Sequence, residues 1–148
     1  MQDVMDIFDR TYQATPESVG RTRADIAGFA AAHGVGPARI DDIRLAVSEA
    51  ITNAVMHGYR DSSGTVHVTA RYADGSLWIS IRDFGCGMQP RPLESRHAGM
   101  GLGLALIGRL VNELSLAPQV GDGTEVRMRF DLAPAAATPR VERRVIVA

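Results

Sequence analysis

The sequence predicts an α+β domain built as a two-layer sandwich, in which a mixed, mostly antiparallel sheet is covered on one face by three helices. Two hairpin motifs, at 73–75 and 121–123, each join strand-like runs, and such short connections produce antiparallel pairs. Three longer segments with helical character alternate with these runs. The sheet face that carries no helix must therefore be solvated or paired with another surface.

The chain begins with a strand-like run at 4–12, followed by the first helix. Thr15, Pro16 and Glu17 supply a helix N-cap, a proline at the first helical position and an acidic residue in the first turn. This pattern predicts a helix that ends at about His33.

The second helix is predicted to begin at Pro37, after two glycines, and to end at Gly58. Its apolar positions recur with a period of 3.6 residues, which is typical of a helix that packs one face against a core. This stripe consists of Ile40, Ile43, Val47, Ala50 and Ala54.

The second half of the chain supplies most of the sheet. Runs 65–72 and 77–82 flank an Ala-Asp-Gly turn and should pair antiparallel, whereas 83–98 contains two prolines and is predicted to be irregular. A third helix at 101–113 is apolar almost all round and should be buried. A second hairpin is then predicted from strands 114–116 and 125–132.

Composition indicates one soluble domain at 1–132 and a poorly ordered tail at 133–148, which is rich in Ala, Pro and Arg. A formal net charge of −1 provides no overall field for nucleic acid or anionic lipid, so neither is expected as a partner. The single cysteine, Cys86, and four scattered histidines provide neither a disulfide nor metal-ligand spacing. The N-terminus lacks an apolar targeting segment, and a cytoplasmic location is expected.

All sixteen basic residues are arginines, and the chain contains no lysine. A P-loop requires a lysine at the β- and γ-phosphates, the protein-kinase fold requires one on a strand, and Schiff-base chemistry requires an amine. The sequence therefore excludes these three mechanisms. A nucleotide-binding site in this chain must hold phosphates in another way.

Glu49 and Asn53 are the first candidate site residues, and they lie in the second predicted helix. Their i, i+4 spacing places a carboxylate and an amide on one helix face, beside the apolar stripe. They can therefore border a pocket. Taken alone, the pair is more typical of a solvated helix face.

Asp83-Phe-Gly85-Cys-Gly87 directly follows a predicted strand. Alternating glycines allow the backbone to approach a ligand closely, and the carboxylate can accept a hydrogen bond from an exocyclic amine. An ordinary Asp/Gly turn at the end of a strand would have the same sequence. Both interpretations stay open for this segment alone.

Gly99-Met-Gly101-Leu-Gly103-Leu104 opens the third predicted helix. Each glycine inside a helix costs about 1 kcal/mol relative to alanine, so three at alternate positions require a reason. Unobstructed backbone N–H groups at a helix N-terminus can bind an anion such as a phosphate. The alternative is a flexible lead-in that permits close helix packing.

In this order, the three segments resemble the three boxes of the Bergerat-fold ATPases, which include gyrase, histidine kinases and mismatch-repair ATPases. Gly123-Thr124 resembles a fourth element, where the family has a threonine that contacts adenine. The resemblance spans about residues 40–130 and implies Mg²⁺ and ATP as cofactors.

The resemblance also implies a role for each matching residue. Asn53 would bind Mg²⁺, Asp83 would accept from the adenine amine, and the ATP lid would be 88–98. Arg96, within that lid, is either a γ-phosphate clamp or an exposed arginine. The remaining nucleotide contacts implied by the motifs are Gly85, Gly87, Met88, Gly99, Gly101, Gly103, Leu104 and Thr124.

Within the superfamily, the segment from Glu49 to Tyr59 and the short chain are similar to the anti-sigma-factor serine kinases. This resemblance implies a homodimer that sequesters a sigma factor and phosphorylates a serine of an anti-anti-sigma (STAS-type) protein, with Glu49 as the catalytic base. The lid sequence Glu94-Ser-Arg96-His-Ala departs from the Glu-Arg-Ser-Gly of familiar members. Lid contacts and sigma preference are therefore not implied.

A second hypothesis is a non-catalytic module that binds ATP as a structural ligand and sequesters a partner. Glu49 distinguishes the two hypotheses, because a pure binder has no need of a carboxylate at that position. A third hypothesis, the released ATPase domain of a larger signalling protein, is disfavoured by Met1 and the complete set of motifs.

Overall fold

The computed structural model describes residues 6–58, 64–84, 100–118, 123–132 and 144–147. Within these residues, three α-helices and six strands occur in the order β1–α1–α2–β2–β3–α3–β4–β5–β6, with a turn of π-helix directly after α2. Their bounds are β1 Ile7–Gln13, α1 Pro16–Ala32, α2 Pro37–Asn53, π-helical turn Ala54–Gly58, β2 Thr65–Ala73, β3 Ser76–Asp83, α3 Met100–Leu110, β4 Glu113–Pro118, β5 Thr124–Asp131 and β6 Arg144–Val147.

The strands form one sheet in the order β1-β2-β3-β5-β4-β6. Every neighbouring pair is antiparallel except β4 and β6, which are parallel. The hairpin between β2 and β3 turns at Asp74 and Gly75, whose φ angles of 52° and 74° are those of a tight left-handed turn. The predicted α+β sandwich with a mostly antiparallel sheet is confirmed.

The hydrophobic core lies between the helices and one face of the sheet. Alternate residues of β2 and β3 are buried, as expected for strands with one covered face. Ile26, Ile43 and Ile107, one from each helix, are fully buried in the same core cluster as these strand residues. The opposite surface of the sheet, here called the outer face, carries polar and aromatic side chains that include Thr69, Arg71, Trp78, Ser80 and Arg127.

Strand β1 is attached to α1 by polar contacts around one carboxylate. Tyr12 Oη donates to Asp25 at 2.7 Å, and Arg10 Nη1 donates to the same oxygen at 2.9 Å. Burial and the hydrogen bond to Asp25 raise the pKa of Tyr12 to about 12. This cluster fixes the edge strand against the helical layer.

The third helix ends at Leu110, whereas the sequence predicted Glu113. Asn112 leaves the helix because its backbone N–H donates to the Arg129 carbonyl at 2.8 Å, and its side-chain oxygen accepts from the Asp131 N–H at 2.9 Å. Arg39 Nη1 donates to the Leu110 carbonyl at the helix end, at 2.7 Å. Partners distant in the sequence therefore end the helix.

The predicted poorly ordered tail contains a strand that was not predicted from the sequence. Residues 144–147 form β6, which pairs in parallel with β4 from Glu113 to Leu116. This pairing covers the backbone edge of β4, which would otherwise be open to other strands. The prediction is therefore wrong for 144–147, while 133–143 lie outside the described residues. Among the described helices, none is long and apolar enough to cross a membrane.

Candidate functional site

Glu49 and Asn53 lie in the last turns of α2 and face the beginning of α3. A Cβ atom built on Gly103 would be 3.0 Å from Glu49 Oε2, and 3.4 Å and 3.6 Å from the Asn53 side-chain nitrogen and oxygen. Gly103 itself is buried. The structure therefore brings the first and third sequence segments into contact.

The Asn53 amide has an unused hydrogen-bonding atom. Its Nδ2 is buried and has no hydrogen-bond partner among the described residues. Leaving a buried polar atom unpaired costs about 1–3 kcal/mol, so such an atom favours a ligand that completes its bonding. The amide also presents an oxygen, the ligand atom that hard cations such as Mg²⁺ prefer. Asn53 therefore fits a site for a metal-bound polyphosphate.

Asp83 and Thr124 form a second polar group at the adjoining ends of β3 and β5. Asp83 is 7% exposed and Thr124 is 6% exposed, so both are among the buried polar residues. Gly123 has a φ of +121°, and a Cβ on it would lie 2.2 Å from the Asp83 carbonyl oxygen. Only glycine allows this approach. The second and fourth sequence elements are therefore adjacent.

The π-helical turn that follows Asn53 packs against β3, the strand that ends in Asp83. Turns of this kind inside helices are rare and frequently occur at functional sites. The end of α2 and β3 are therefore neighbours in the domain.

The structure places the other predicted site residues as follows. Leu104 is partly buried and packs against the hydrophobic core, and Gly101 lies in the first turn of α3. Predictions that fall outside the described residues concern Gly85, Gly87, Met88, Arg96 and Gly99. In the described part of the chain, no three His, Cys, Asp or Glu side chains cluster as metal ligands.

A polar cluster around Glu125 on the outer face was not predicted from the sequence. Glu125 Oε1 accepts from Ser80 Oγ at 2.7 Å and from Arg127 Nε at 2.6 Å. Burial on its own raises the pKa of Glu125, but these hydrogen bonds and the charges of Arg127 and Arg82 outweigh it, so the pKa is lower than usual. Alternation along β5 indicates an outward Glu125, but only the pairing of β5 with β3 brings Ser80 next to it.

This fold and its constellation of glycines, amide and carboxylates define a class of protein, the ATP-binding domains that work without a P-loop lysine. The family model of the histidine kinase-like ATPase domain matches residues 12–130, and the chain belongs to this family. The resemblance inferred from the sequence segments is therefore confirmed, and with it ATP as the ligand of the domain.

Curated relatives are named for a more particular activity. The chain is 29% identical over 130 residues to the anti-sigma F factor of Clostridium acetobutylicum, covering 82% of this chain and 91% of that protein. It is 36% identical over 122 residues to the anti-sigma F factor of Thermoanaerobacter sp., covering 76% and 82%. It is 32% identical over 130 residues to the serine-protein kinase RsbW of Oceanobacillus iheyensis, covering 78% and 82%.

Two solved structures share the fold. The crystal structure of the RsbU and RsbW domains of a Mycobacterium tuberculosis protein matches with a TM-score of 0.69 and 30% identity, over 88% of this chain and 34% of that one. The histidine kinase domain of a blue-light activated kinase from Erythrobacter litoralis matches with a TM-score of 0.54 and 26% identity, over 78% and 61%. This chain thus spans about a third of the first structure and less than two thirds of the second.

Proposed function

We propose that this protein is an ATP-dependent serine kinase and anti-sigma factor, which sequesters a sigma factor and phosphorylates an anti-anti-sigma protein of the STAS type on serine. The observation that supports it best is the position of the Glu49 carboxylate, which lies beside the Asn53 amide and against Gly103. A domain that only binds ATP needs the amide but not the carboxylate. The names of the relatives support the same activity.

Each residue of the site has a defined task in this proposal. Asp83 accepts a hydrogen bond from the adenine amine, and Asn53 holds Mg²⁺, which neutralises phosphate charge when bound. The backbone N–H groups at the start of α3 bind phosphate oxygens in place of a lysine. Glu49 orients the serine hydroxyl and accepts its proton as the oxygen forms a bond to the γ-phosphorus. The bond from that phosphorus to the β,γ-bridging oxygen breaks, and ADP leaves with this oxygen.

The decisive experiment is transfer of radiolabel from γ-labelled ATP, with Mg²⁺, to STAS-type proteins encoded near this gene. The proposal expects label on one serine of one such protein, and a stable complex with a sigma factor that the unphosphorylated acceptor dissociates. The acceptor with that serine replaced by alanine is the control. Tight ATP binding without transfer to any candidate would instead identify a non-catalytic binding module. Sigma factors and their regulators act in the cytoplasm, and the proposal places this protein there.

Asp83→Asn is expected to weaken ATP binding by about 1.5–3 kcal/mol, because the charge-assisted hydrogen bond to the adenine amine is lost. Calorimetric titration with Mg²⁺ and ATP measures the change, and thermal unfolding shows whether the variant is folded. Asp131→Asn is the matched control, because Asp131 lies at the opposite end of the β3–β5 pair. Unchanged affinity in folded Asp83→Asn protein would exclude the adenine role.

We also propose a homodimer formed through the outer face of the sheet together with β1 and α1. A shallow depression on this face is lined by Ile7, Arg71, Trp78, Glu125 and Arg127, among others. The Arg71 and Arg129 guanidinium groups lie 5.7 Å and 5.6 Å from the Trp78 ring centroid. Aromatic and arginine side chains are enriched in protein interfaces, and a sheet in a sandwich this small leaves one face to be covered.

Ile7→Asp is expected to shift the protein from dimer to monomer, because Ile7 is 59% exposed at the edge of this depression. Sedimentation velocity at micromolar concentration, with and without nucleotide, measures the state. Leu45→Asp is the control, because Leu45 is also exposed, at 41%, but lies in the helical layer. A wild-type monomer under all these conditions would contradict the dimer.

A further inference from the structure

Gly103 is buried next to the side chains of Glu49 and Asn53. The sequence motif explains a glycine at this position by the approach of a phosphate to the helix backbone. In the structure, the place of the missing side chain is bounded instead by Glu49 Oε2 and by the amide of Asn53. The two explanations predict different consequences for an alanine at this position.

We infer that Gly103 is a positioning residue for the Glu49 carboxylate, and that its lack of a side chain sets where this carboxylate meets the acceptor hydroxyl. The contact between the Gly103 position and Glu49 is a feature of the structure. Its expected effect on phosphoryl transfer rests on the proposed kinase function. Gly103 therefore acts through Glu49 and not through the nucleotide.

The distances show which neighbour an added methyl group would displace. At 3.0 Å from Glu49 Oε2, a Cβ would be closer than ordinary contact, and the carboxylate would move by a few tenths of an ångström. The Asn53 atoms at 3.4 Å and 3.6 Å are already at contact distance and need not move. Glu49 has the longer and more flexible side chain, so the displacement falls on the carboxylate.

A displacement of this size affects chemistry more than binding. A general base has to lie within about 2.6–3.2 Å of the atom whose proton it accepts, so small shifts reduce the fraction of productive geometries. Gly103→Ala is therefore expected to lower single-turnover transfer about tenfold and to leave ATP affinity close to that of the wild type. A phosphate-cradle role would instead weaken ATP binding at least as much as transfer.

The matched control is Gly28→Ala. Gly28 also lies within a helix, but a Cβ on it would meet nothing within 4 Å. Its replacement should stabilise the protein through helix propensity and leave transfer unchanged. A double-mutant cycle tests the contact itself, because Glu49→Asp shortens the side chain by one methylene group and makes room for the methyl.

In the Glu49→Asp background, adding Gly103→Ala should not lower transfer further, because the contact no longer exists. A further tenfold loss would show that the two residues act independently and would overturn the inference. Equal losses of ATP affinity and transfer in Gly103→Ala protein would overturn it as well.

Equilibrium unfolding provides a readout that does not depend on kinase activity. Gly103→Ala should raise the unfolding midpoint more in a Glu49→Ala background than in the wild type, because only the wild type has a carboxylate at 3.0 Å from the added methyl. The same increase in both backgrounds would show that the contact is absent. If the wild type transfers no phosphate to any acceptor, the proposed function fails, and this cycle still decides whether Gly103 positions Glu49.

Discussion

Glu49→Gln is expected to lower phosphoryl transfer to the anti-anti-sigma acceptor by about 10²–10⁴-fold, the usual contribution of general acid–base catalysis. Glutamine preserves the shape of the side chain and its contact with Gly103 but cannot accept the proton. Because this group acts on the acceptor and not on ATP, nucleotide and sigma binding should stay near wild-type values. Single-turnover kinetics with saturating ATP isolate the chemical step.

Asn53→Ala should lower ATP affinity, whereas Glu49→Gln should lower phosphoryl transfer, although the two residues are one helical turn apart. Removal of the amide should weaken Mg²⁺-dependent binding of ATP itself. Glu17→Gln, which changes an exposed carboxylate in the first turn of α1, is the control and should behave as the wild type. Transfer by Glu49→Gln protein at the wild-type rate would exclude Glu49 as the base.

The elements that could be predicted from the sequence are those whose cause is local. The β2–β3 hairpin follows from Asp74 and Gly75, which adopt the two left-handed conformations that such a turn requires. Helix α2 could be predicted from Pro37 at its start and from the 3.6-residue period of its apolar positions. The predicted end at Gly58 agrees with the end of the π-helical turn that continues this helix. The i, i+4 spacing likewise indicated one face for Glu49 and Asn53.

The remaining features depend on residues that are distant in the sequence. The end of α3 is set by Asn112, which pairs with backbone groups of Arg129 and Asp131. The insertion of β5 between β3 and β4, and the addition of β6, are choices of tertiary pairing that no short window encodes. The contact of Gly103 with Glu49 is of the same kind. Periodicity therefore predicted the faces of the elements but not the contacts between them.

Gly123→Ala is expected to lower the free energy of unfolding by about 3–5 kcal/mol, because two costs add. The backbone φ of +121° is strained for any residue with a Cβ, and that Cβ would lie 2.2 Å from the carbonyl oxygen of Asp83. The neighbour is backbone within a paired strand, so it cannot rotate away as a side chain would. Urea unfolding at an unchanged m-value measures the loss.

Gly75→Ala separates the two costs. Gly75 also has a positive φ, +74°, but a Cβ on it would meet nothing within 4 Å, so this variant pays only the conformational term of about 1–2 kcal/mol. An equal loss of stability in both variants would show that the contact with Asp83 has no energetic role. If the larger loss is found at Gly123, the start of β5 has to move away from the end of β3. Thr124 and Asp83 then separate, and Gly123→Ala protein should lose ATP affinity in conditions where Gly75→Ala protein retains it.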